Sequence, residues 1–273
     1  MELKELNKTG IKIPAIGMGT WGIGGGLTPD YSNDEKAIKA LIKGIELGMY
    51  LIDTAEMYGG GHSEELVGEA IKKFERQKVF IVTKVLPENL TYKDLINSAQ
   101  KSLKRLNTDY IDLYLIHAPN PKIPIKETMN AMERLIEDKV VKFIGVSNFS
   151  VSQIEKARAY LRNTDIVVNQ VEYNLIERKI EKVLLPYCVK NNITLMAYCP
   201  LARGLLAKNE FLKQIGKKYN KTASQIALNW LIQKEGVVAI PKSSKIEHLQ
   251  ENALATSWRL SEKDIQLIEE HFR

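Results

Sequence analysis

Four polar residues with complementary side chains lie at or just after the ends of short apolar segments: Asp53, Tyr58, Lys84 and His117. The apolar segments are rich in β-branched residues, which is typical of strands. In a parallel sheet the carboxyl ends of the strands converge on one face, where α/β enzymes place their chemistry. The spacing therefore predicts that a carboxylate, a phenol, an ammonium and an imidazole meet at one site.

These groups make up a proton donor and the groups that tune it. A free tyrosine has a pKa of about 10, and a nearby ammonium such as that of Lys84 is expected to lower the pKa of Tyr58. Asp53 would hold Lys84 in its charged form, and His117 would hydrogen-bond a substrate oxygen or relay a proton. Tyr58 would protonate a carbonyl oxygen as hydride reaches the carbon, a step that contributes roughly 10²–10⁴-fold.

Each residue also has an ordinary structural explanation when it is considered alone. Asp53 suits a helix N-cap, Lys84 suits a solvated strand end, and a single histidine such as His117 is more often structural than catalytic. Tyr58, followed by three glycines, would simply cover the core. Because the four groups complement one another on neighbouring segments, the functional interpretation is favoured.

Strand-like and helix-like segments alternate along the chain, which indicates βα units and a parallel sheet. The predicted strands are Ala15–Gly17, Tyr50–Asp53, Val79–Lys84, Tyr110–His117, Phe143–Ser147, Ile166–Val171, Thr194–Tyr198 and Val237–Ile240. The clearest helices, from apolar spacing and capping residues, are Asp34–Leu47, Thr91–Leu106, Thr222–Gln233 and Ser261–His271.

Eight strands that alternate with helices predict an α/β fold of the (β/α)₈ TIM barrel type, and the length is typical of one. An additional hairpin is predicted from Leu3–Leu6, a turn at Asn7–Gly10 and Ile11–Ile13, and it would close the bottom of the barrel. No linker or composition shift divides the chain. We therefore expect one domain over residues 1–273.

A glycine pattern offers an alternative fold. Gly17, Gly19 and Gly22 fit the G-x-G-x-x-G spacing of a Rossmann dinucleotide site, which requires a helix to open there. The chain instead continues through more glycines, which start helices poorly. We interpret this segment as an irregular loop over the first strand, and a helix beginning at Gly19 would reverse that interpretation.

The composition indicates an ordinary globular protein without a nucleic-acid or membrane function. The formal charge of +6 comes from 39 basic and 33 acidic residues that are interleaved, so no basic stripe for nucleic acid stands out. Cys188 and Cys199 lack metal-ligand spacing, and no site for a metal is expected. With no apolar run long enough for a membrane span, we expect a cytoplasmic protein, most simply a monomer, whose partner is a small molecule.

Several longer motifs occur together in a characteristic order. They are Gly19-Thr-Trp21, Asp53-Thr-Ala-Glu-Met-Tyr58-Gly, Lys84, Ile116-His117, Gly145-Val-Ser-Asn-Phe149, Asn169-Gln-Val-Glu-Tyr173, Ala197-Tyr-Cys-Pro-Leu201 and Ile240-Pro-Lys-Ser243. On these motifs the chain resembles an aldo-keto reductase from end to end. The resemblance implies a (β/α)₈ barrel, NADPH-dependent reduction of carbonyls, and a catalytic tetrad of Asp53, Tyr58, Lys84 and His117 with Tyr58 as the acid.

The resemblance also implies where the cofactor binds. Ser147, Asn148 and Gln170 would hydrogen-bond the nicotinamide carboxamide, and Tyr198 would stack on the nicotinamide ring. All the cofactor positions implied in this way are Gly19, Thr20, Asp53, Ser147, Asn148, Gln170, Tyr198, Pro200, Leu201, Arg203, Gly204, Leu205, Ile240, Lys242, Ser243, Ser244, His248, Glu251 and Asn252.

Within this set, the resemblance assigns the rest of the dinucleotide to later segments. The loop 200–205 would run along the pyrophosphate. Lys242 and Ser243 would contact the 2′-phosphate of the adenosine, and Glu251 and Asn252 the adenine. His248 stands where relatives often have arginine, so NADH use beside NADPH is an alternative.

The substrate positions that the resemblance implies are Trp21, Tyr58, Leu86 and His117. Ala118 stands where members of this family often have tryptophan, and the chain ends soon after its last predicted helix, at Arg273. These departures predict an open pocket with loose specificity, because few contacts distinguish substrates. Barrels of this kind also serve as channel-associated subunits, and measuring turnover with carbonyl compounds separates that alternative from an enzyme.

Overall fold

In the computed structural model, which describes residues 1–273, eight parallel strands pair in chain order. Backbone hydrogen bonds then join the first and last strands: Gly17 N donates to Ala239 O over 2.9 Å, and Ala239 N donates to Ala15 O over 2.9 Å. The sheet is therefore closed, as the predicted barrel requires. Its strands are β3 Met18–Gly19, β4 Leu51–Asp53, β5 Phe80–Val85, β6 Ile111–Ile116, β7 Val141–Ser147, β8 Ile166–Glu172, β9 Thr194–Tyr198 and β10 Val237–Ala239.

Ten α-helices cover the outside of this sheet. They are α1 Asp34–Glu46, α2 His62–Ile71, α3 Tyr92–Leu106, α4 Ile125–Glu137, α5 Val151–Arg158, α6 Leu184–Lys190, α7 Glu210–Tyr219, α8 Ala223–Gln233, α9 Ile246–Ala253 and α10 Glu262–His271. The predicted capping residues open their helices: the side chains of Thr91, Thr222 and Ser261 each accept a hydrogen bond from the backbone three residues later.

The first barrel strand differs from the prediction. We expected it at Ala15–Gly17, whereas the paired strand is Met18–Gly19. Before it, Ala15 and Gly17 bond to Ala239 of β10, and Ala15 N also donates to Glu2 O. The extended segment therefore continues beyond the predicted strand to Gly19, which pairs with Asp53 at the rim of the barrel. After Gly19 the chain forms a loop that ends only at α1, so the Rossmann alternative is wrong.

The predicted hairpin is present as β1 Leu3–Glu5 and β2 Lys12–Pro14, paired antiparallel. Leu6 and Ile13 are fully buried, in one cluster with the side chains that fill the inside of the barrel. The Lys4 ammonium donates to carbonyl oxygens of Ile232, in the last turn of α8, of Lys234, just after it, and of Val237, at the start of β10. The hairpin therefore plugs the amino-terminal end of the barrel, and the chemistry is left to the opposite end.

The alternation of side chains along each strand separates the apolar interior from the polar rim. Leu51 lies in the interior cluster, and two residues later Asp53 reaches the carboxyl end; Val82 and Lys84 repeat this pattern on β5. On these two strands, the inward residue that follows the apolar layer is therefore polar and faces the mouth of the barrel. None of the helices is long and apolar enough to cross a membrane.

Truncating the plug tests this arrangement. Ile13→Ala is expected to lower the free energy of unfolding by about 2–5 kcal/mol, because a buried branched side chain leaves a cavity. Ile11→Ala, at a neighbouring position that is 41% exposed, is the matched control and should change it by less than about 0.5 kcal/mol. Denaturant unfolding measures both, and equal effects would contradict the plug.

Candidate active site

The Lys84 ammonium lies at the centre of the residues at the barrel mouth. It donates to Asp53 Oδ2 over 2.8 Å, to the Thr54 carbonyl oxygen over 2.8 Å, and to the Tyr58 hydroxyl over 3.2 Å. Lys84 is fully buried, and Asp53 is 3% exposed. All three donor positions of the ammonium are therefore satisfied, which a buried cation requires.

The turn between β4 and α2 brings Tyr58 back over this cation. Tyr58 N donates to Ala55 O over 3.0 Å, and three glycines with positive φ then lead into α2. At Gly59 a Cβ atom would lie 2.2 Å from Gly24 O, so this position requires glycine. The glycine run positions the tyrosine by letting the loop before α1 pack against the turn.

Pairing outweighs burial for the lysine. Burial alone lowers the pKa of Lys84, but the Asp53 carboxylate and the Tyr58 hydroxyl more than offset it, so its pKa is raised. Burial raises the pKa of Asp53, which Lys84 and the amide of Gln170 oppose by donating to its two oxygens. Two donors on one carboxylate favour its ionised form, so the pair is an ammonium and a carboxylate.

Lys84 lowers the pKa of Tyr58, as expected, but the net pKa of the phenol is nevertheless raised. Burial raises the pKa of Tyr58, and the nearby Lys84 only partly offsets this increase. The phenol is 8% exposed, and the Asp53 carboxylate further disfavours the phenolate. Tyr58 is therefore a protonated phenol at neutral pH, and Lys84 favours its anion only relative to an equally buried site without a cation.

His117 enters the site as a neutral imidazole. Burial and the charge of Lys84 lower its pKa to about 3. Its ring centre lies 5.8 Å from that of Tyr58, and its Nδ1 is buried without a partner. Since buried N–H groups without acceptors are rare, we place the proton on Nε2, the nitrogen that is not buried. The imidazole can then donate one hydrogen bond into the mouth.

The residues that the resemblance assigns to the carboxamide lie together at the ends of β7, β8 and β9. Asn148 Nδ2 donates to the His117 carbonyl and to Ser147 Oγ, each over 3.1 Å. The Tyr198 hydroxyl donates to Asn148 Oδ1 over 3.0 Å. Ser147 Oγ donates to the Gln170 carbonyl over 2.9 Å. These groups form one network beside the tetrad.

Neither the end of β4 nor the end of β7 caps the helix that follows it. The N-cap of α5 is Ser150, in a capping box with Gln153, so Ser147 and Asn148 do not cap that helix. Asp53 is not an N-cap either, because α2 begins after Gly61. The polar side chains at both strand ends are therefore free to face the mouth.

The segments assigned to the phosphates lie on the same side of the barrel. Lys242 bridges to Gly19, its side chain is exposed, and its ammonium has no partner within the chain. The loop after β9 turns through three non-glycine residues with positive φ, Cys199, Ala202 and Arg203. Such strained backbone is typical of ligand-binding loops. Asn174 holds this loop by donating to Cys199 O over 3.1 Å.

Three further residues assigned to the cofactor have side chains that are hydrogen-bonded inside the protein. The buried Thr20 hydroxyl accepts from Ser63 Oγ over 2.8 Å. Ser243 Oγ donates to Lys245 O over 3.1 Å. Glu251 accepts from the Thr222 hydroxyl at the start of α8. Contact between these three side chains and a cofactor requires an exchange of hydrogen bonds, so Lys242 is the better-placed group for a phosphate.

The substrate positions lie around the phenol. The Trp21 ring approaches Tyr58 edge-on at 5.0 Å, and Leu86 directly follows β5. The carboxylate of Glu56, which was not predicted as a site residue, accepts from Leu86 N over 2.7 Å and from Asn89 Nδ2 over 3.1 Å. An acid inside the motif between Asp53 and Tyr58 was the available signal, because a buried carboxylate there must find donors.

Comparison with known proteins places the chain among carbonyl-reducing enzymes. The model of the aldo/keto reductase family matches residues 15–273. The methylglyoxal reductase YeaE of Escherichia coli is 40% identical over 278 residues, which cover 100% of this chain and 96% of the relative. The match spans every motif described above.

Solved structures agree with this match. The thermostable aldo-keto reductase Tm1743, crystallised with the inhibitor epalrestat, is 49% identical with a TM-score of 0.96, over 99% of each chain. An aldo-keto reductase from Klebsiella pneumoniae in complex with NADPH is 36% identical with a TM-score of 0.90, over 96% of this chain and 92% of the other. The first of these matches covers nearly the whole chain and therefore includes the hairpin, the barrel and its mouth.

Removing the carboxylate tests the energetics of the central pair. Asp53→Ala is expected to lower the free energy of unfolding by about 3–5 kcal/mol, because it leaves the Lys84 cation buried without its counter-ion. The double variant Asp53→Ala with Lys84→Met should recover part of that loss, since no buried charge then remains.

The exposed pair of Glu35 and Lys39 supplies the matched control. Glu35→Ala should leave the denaturation curve almost unchanged, because exposed ion pairs contribute little. If Asp53→Ala behaved like Glu35→Ala, Lys84 would have to be neutral in the folded protein, contrary to the geometry.

Proposed function

The chain belongs to the aldo/keto reductase family, and we propose that it reduces aldehydes and small ketones, α-dicarbonyls among them, to alcohols with NADPH and with Tyr58 as the acid. The observation that carries the proposal is the hydrogen bond of 3.2 Å between the Lys84 ammonium and the Tyr58 hydroxyl. It joins a protonated phenol to a cation inside the barrel mouth. The relative YeaE is a methylglyoxal reductase, and methylglyoxal is an α-dicarbonyl, which supports the inclusion of this class.

The donor set at the mouth fits the nicotinamide end of this cofactor. Gln170 Nε2 is engaged by Asp53, which leaves Gln170 Oε1 without a partner in the chain to accept from a carboxamide. Ser147 and Asn148 would supply the complementary hydroxyl and amide groups, and the half-buried ring of Tyr198 would stack on the ring. The unpartnered ammonium of Lys242 suits a phosphate. When bound, NADPH supplies the hydride.

Tyr58 would deliver the proton that the reduced carbonyl oxygen needs. As negative charge develops on that oxygen, the phenol transfers its proton and becomes a phenolate. Lys84 stabilises this anion through the existing hydrogen bond, and Asp53 keeps the lysine charged. The positive charge of Lys84 is thus positioned in advance beside the oxygen where negative charge develops, which is the usual source of electrostatic catalysis.

His117 would orient the carbonyl rather than supply the proton. With a pKa of about 3 it is neutral across the physiological range, so its Nε2–H is a hydrogen-bond donor without a net charge. Together with the Tyr58 hydroxyl it would fix the oxygen from two directions. Trp21 and Leu86 would bound the carbon side, and their apolar surfaces help exclude water from the reacting centre.

We also infer that the enzyme works in the cytoplasm. Cys188 and Cys199 are both unpaired, and free thiols are typical of a reducing compartment. A small carbonyl compound and NADPH are the only partners that the proposal requires.

Replacing the acid tests the central step. Tyr58→Phe is expected to lower kcat for an aldehyde by roughly 10²–10⁴-fold, because the ring remains and only the proton donor is lost. The dissociation constant for NADPH should stay near that of the parent. Steady-state kinetics and cofactor fluorescence measure the two quantities. Tyr92→Phe, at an exposed position, is the control, and an undiminished kcat in Tyr58→Phe would rule out the proposed acid.

A second substitution tests the cofactor preference. Lys242→Ala is expected to raise the KM for NADPH by about tenfold or more, because one charge-assisted contact to the phosphate is lost. The KM for NADH should change much less, since NADH lacks that phosphate. Lys263→Ala, on exposed α10, controls for the loss of a charge. Equal changes with both cofactors would mean that the 2′-phosphate is held elsewhere.

A further inference from the structure

His62, the first residue of α2, is enclosed between two carboxylates from different parts of the chain. Its Nδ1 lies 2.8 Å from Glu65 Oε2, and its Nε2 lies 3.0 Å and 3.1 Å from the two oxygens of Asp34. The residue is 7% exposed, and the Tyr31 ring packs against it at 4.3 Å. Neither the carbonyl chemistry nor the cofactor contacts described above make use of it.

Only one protonation state satisfies both contacts. A carboxylate accepts hydrogen bonds and cannot donate them, and neutral imidazole has a single N–H. In neutral His62 one nitrogen would present a lone pair to the oxygens of Asp34 or Glu65. The imidazolium donates to both, so the geometry corresponds to the charged ring.

These contacts join two segments that otherwise meet mainly through glycines, apart from the hydrogen bond from Ser63 to Thr20, which precedes the loop. Asp34 opens α1 at the end of the loop 22–33, and His62 directly follows the turn that carries Tyr58. Gly59 N donates to Gly26 O over 2.6 Å, and a Cβ atom at Gly24 would lie 3.0 Å from the His62 ring. The glycines allow the loop to lie close, and they contribute no side chain that would hold it there.

We propose that His62, in its imidazolium form, is a positioning residue that latches the loop 22–33 onto the Tyr58 turn and thereby holds Trp21 against the phenol. Trp21 directly precedes this loop, and its ring lies 5.0 Å from that of Tyr58. It is 47% exposed, so few other contacts fix it. The consequence for carbonyl binding rests on the proposed function, whereas the latch itself does not.

The charges around His62 give the latch its pH dependence. Partial burial lowers the pKa of His62, but the hydrogen bonds that it donates to Glu65 and Asp34, together with their charges, outweigh burial, so the pKa is raised above its ordinary value. The other ionisable groups on the neighbouring elements are Tyr31, Asp30, which accepts from Ser32 N, and Arg105, which is paired with Glu64 below Gly61. Because the raised pKa belongs to a cation, the latch is closed at low pH and opens as the pH rises through that pKa.

Two measurements on the free protein test the latch without any reaction. Nitrogen-15 NMR of the imidazole should show His62 protonated on both nitrogens at pH 6 to 6.5, and neutral only at higher pH. Tryptophan emission should change over the same pH interval, and Trp21→Phe should lack that change. A His62 ring that is neutral at pH 6, or an emission that does not follow its titration, would overturn the proposal.

Kinetics test the positioning role. The KM for an aldehyde should rise roughly three- to tenfold between the closed and open states, as expected for one partly exposed charged hydrogen bond, while kcat changes less. His62→Gln should have the raised KM at every pH. Asp34→Asn should keep the transition but move it to lower pH, because the negative charge that raises the His62 pKa is lost.

His271→Gln, which removes an exposed histidine on α10, is the matched control and should leave the pH profile of KM unchanged. A wild-type KM profile in a folded His62→Gln protein would overturn the positioning role. If no carbonyl compound were turned over at all, the proposed function would fail, and the NMR and emission titrations would still decide the latch.

Discussion

The structure depends on a lysine ammonium inside a closed barrel and on the carboxylate that keeps it charged. Removing an ammonium from water costs several kcal/mol, and only close partners with satisfied hydrogen bonds offset that cost. Lys84 has three acceptors within 3.2 Å, and Asp53 has two donors. The strands β4 and β5 therefore have to be neighbours in register, and the turn after β4 has to bring Tyr58 back over them.

This constraint explains the division of the barrel into layers. Apolar side chains fill the lower interior, and the hairpin plugs its amino-terminal end with Leu6 and Ile13. On β4 and β5 the polar inward residues, Asp53 and Lys84, lie above that layer, where the strands end. The barrel thus gives the charged pair a dry floor and leaves one open face. A cofactor and a substrate would complete that face from above, so the catalytic groups do not need to move in order to meet.

The residues that make this arrangement were largely predictable, because strand alternation and strand-end chemistry are local signals. The barrel, the hairpin, the caps at Thr91, Thr222 and Ser261 and the convergence of the four polar residues all followed from spacing and residue type. The net direction of the Tyr58 pKa did not, because it depends on how deeply the turn buries the phenol against Lys84. Glu56 and His62 were missed for a similar reason, since their partners lie across the fold and no spacing rule relates them.

Burial and pairing compete at both Lys84 and Tyr58, with opposite outcomes. For Lys84, pairing exceeds burial and the charge is retained; for Tyr58, burial exceeds the help of the lysine and the proton is retained. A cation beside a protonated phenol is the state from which a proton can be transferred. Nitrogen-15 NMR of the Lys84 side chain between about pH 6 and 10 tests this claim most directly. We expect Lys84 to be an ammonium throughout this range. A neutral Lys84 amine at any pH below the ordinary lysine pKa would contradict the paired, charged lysine.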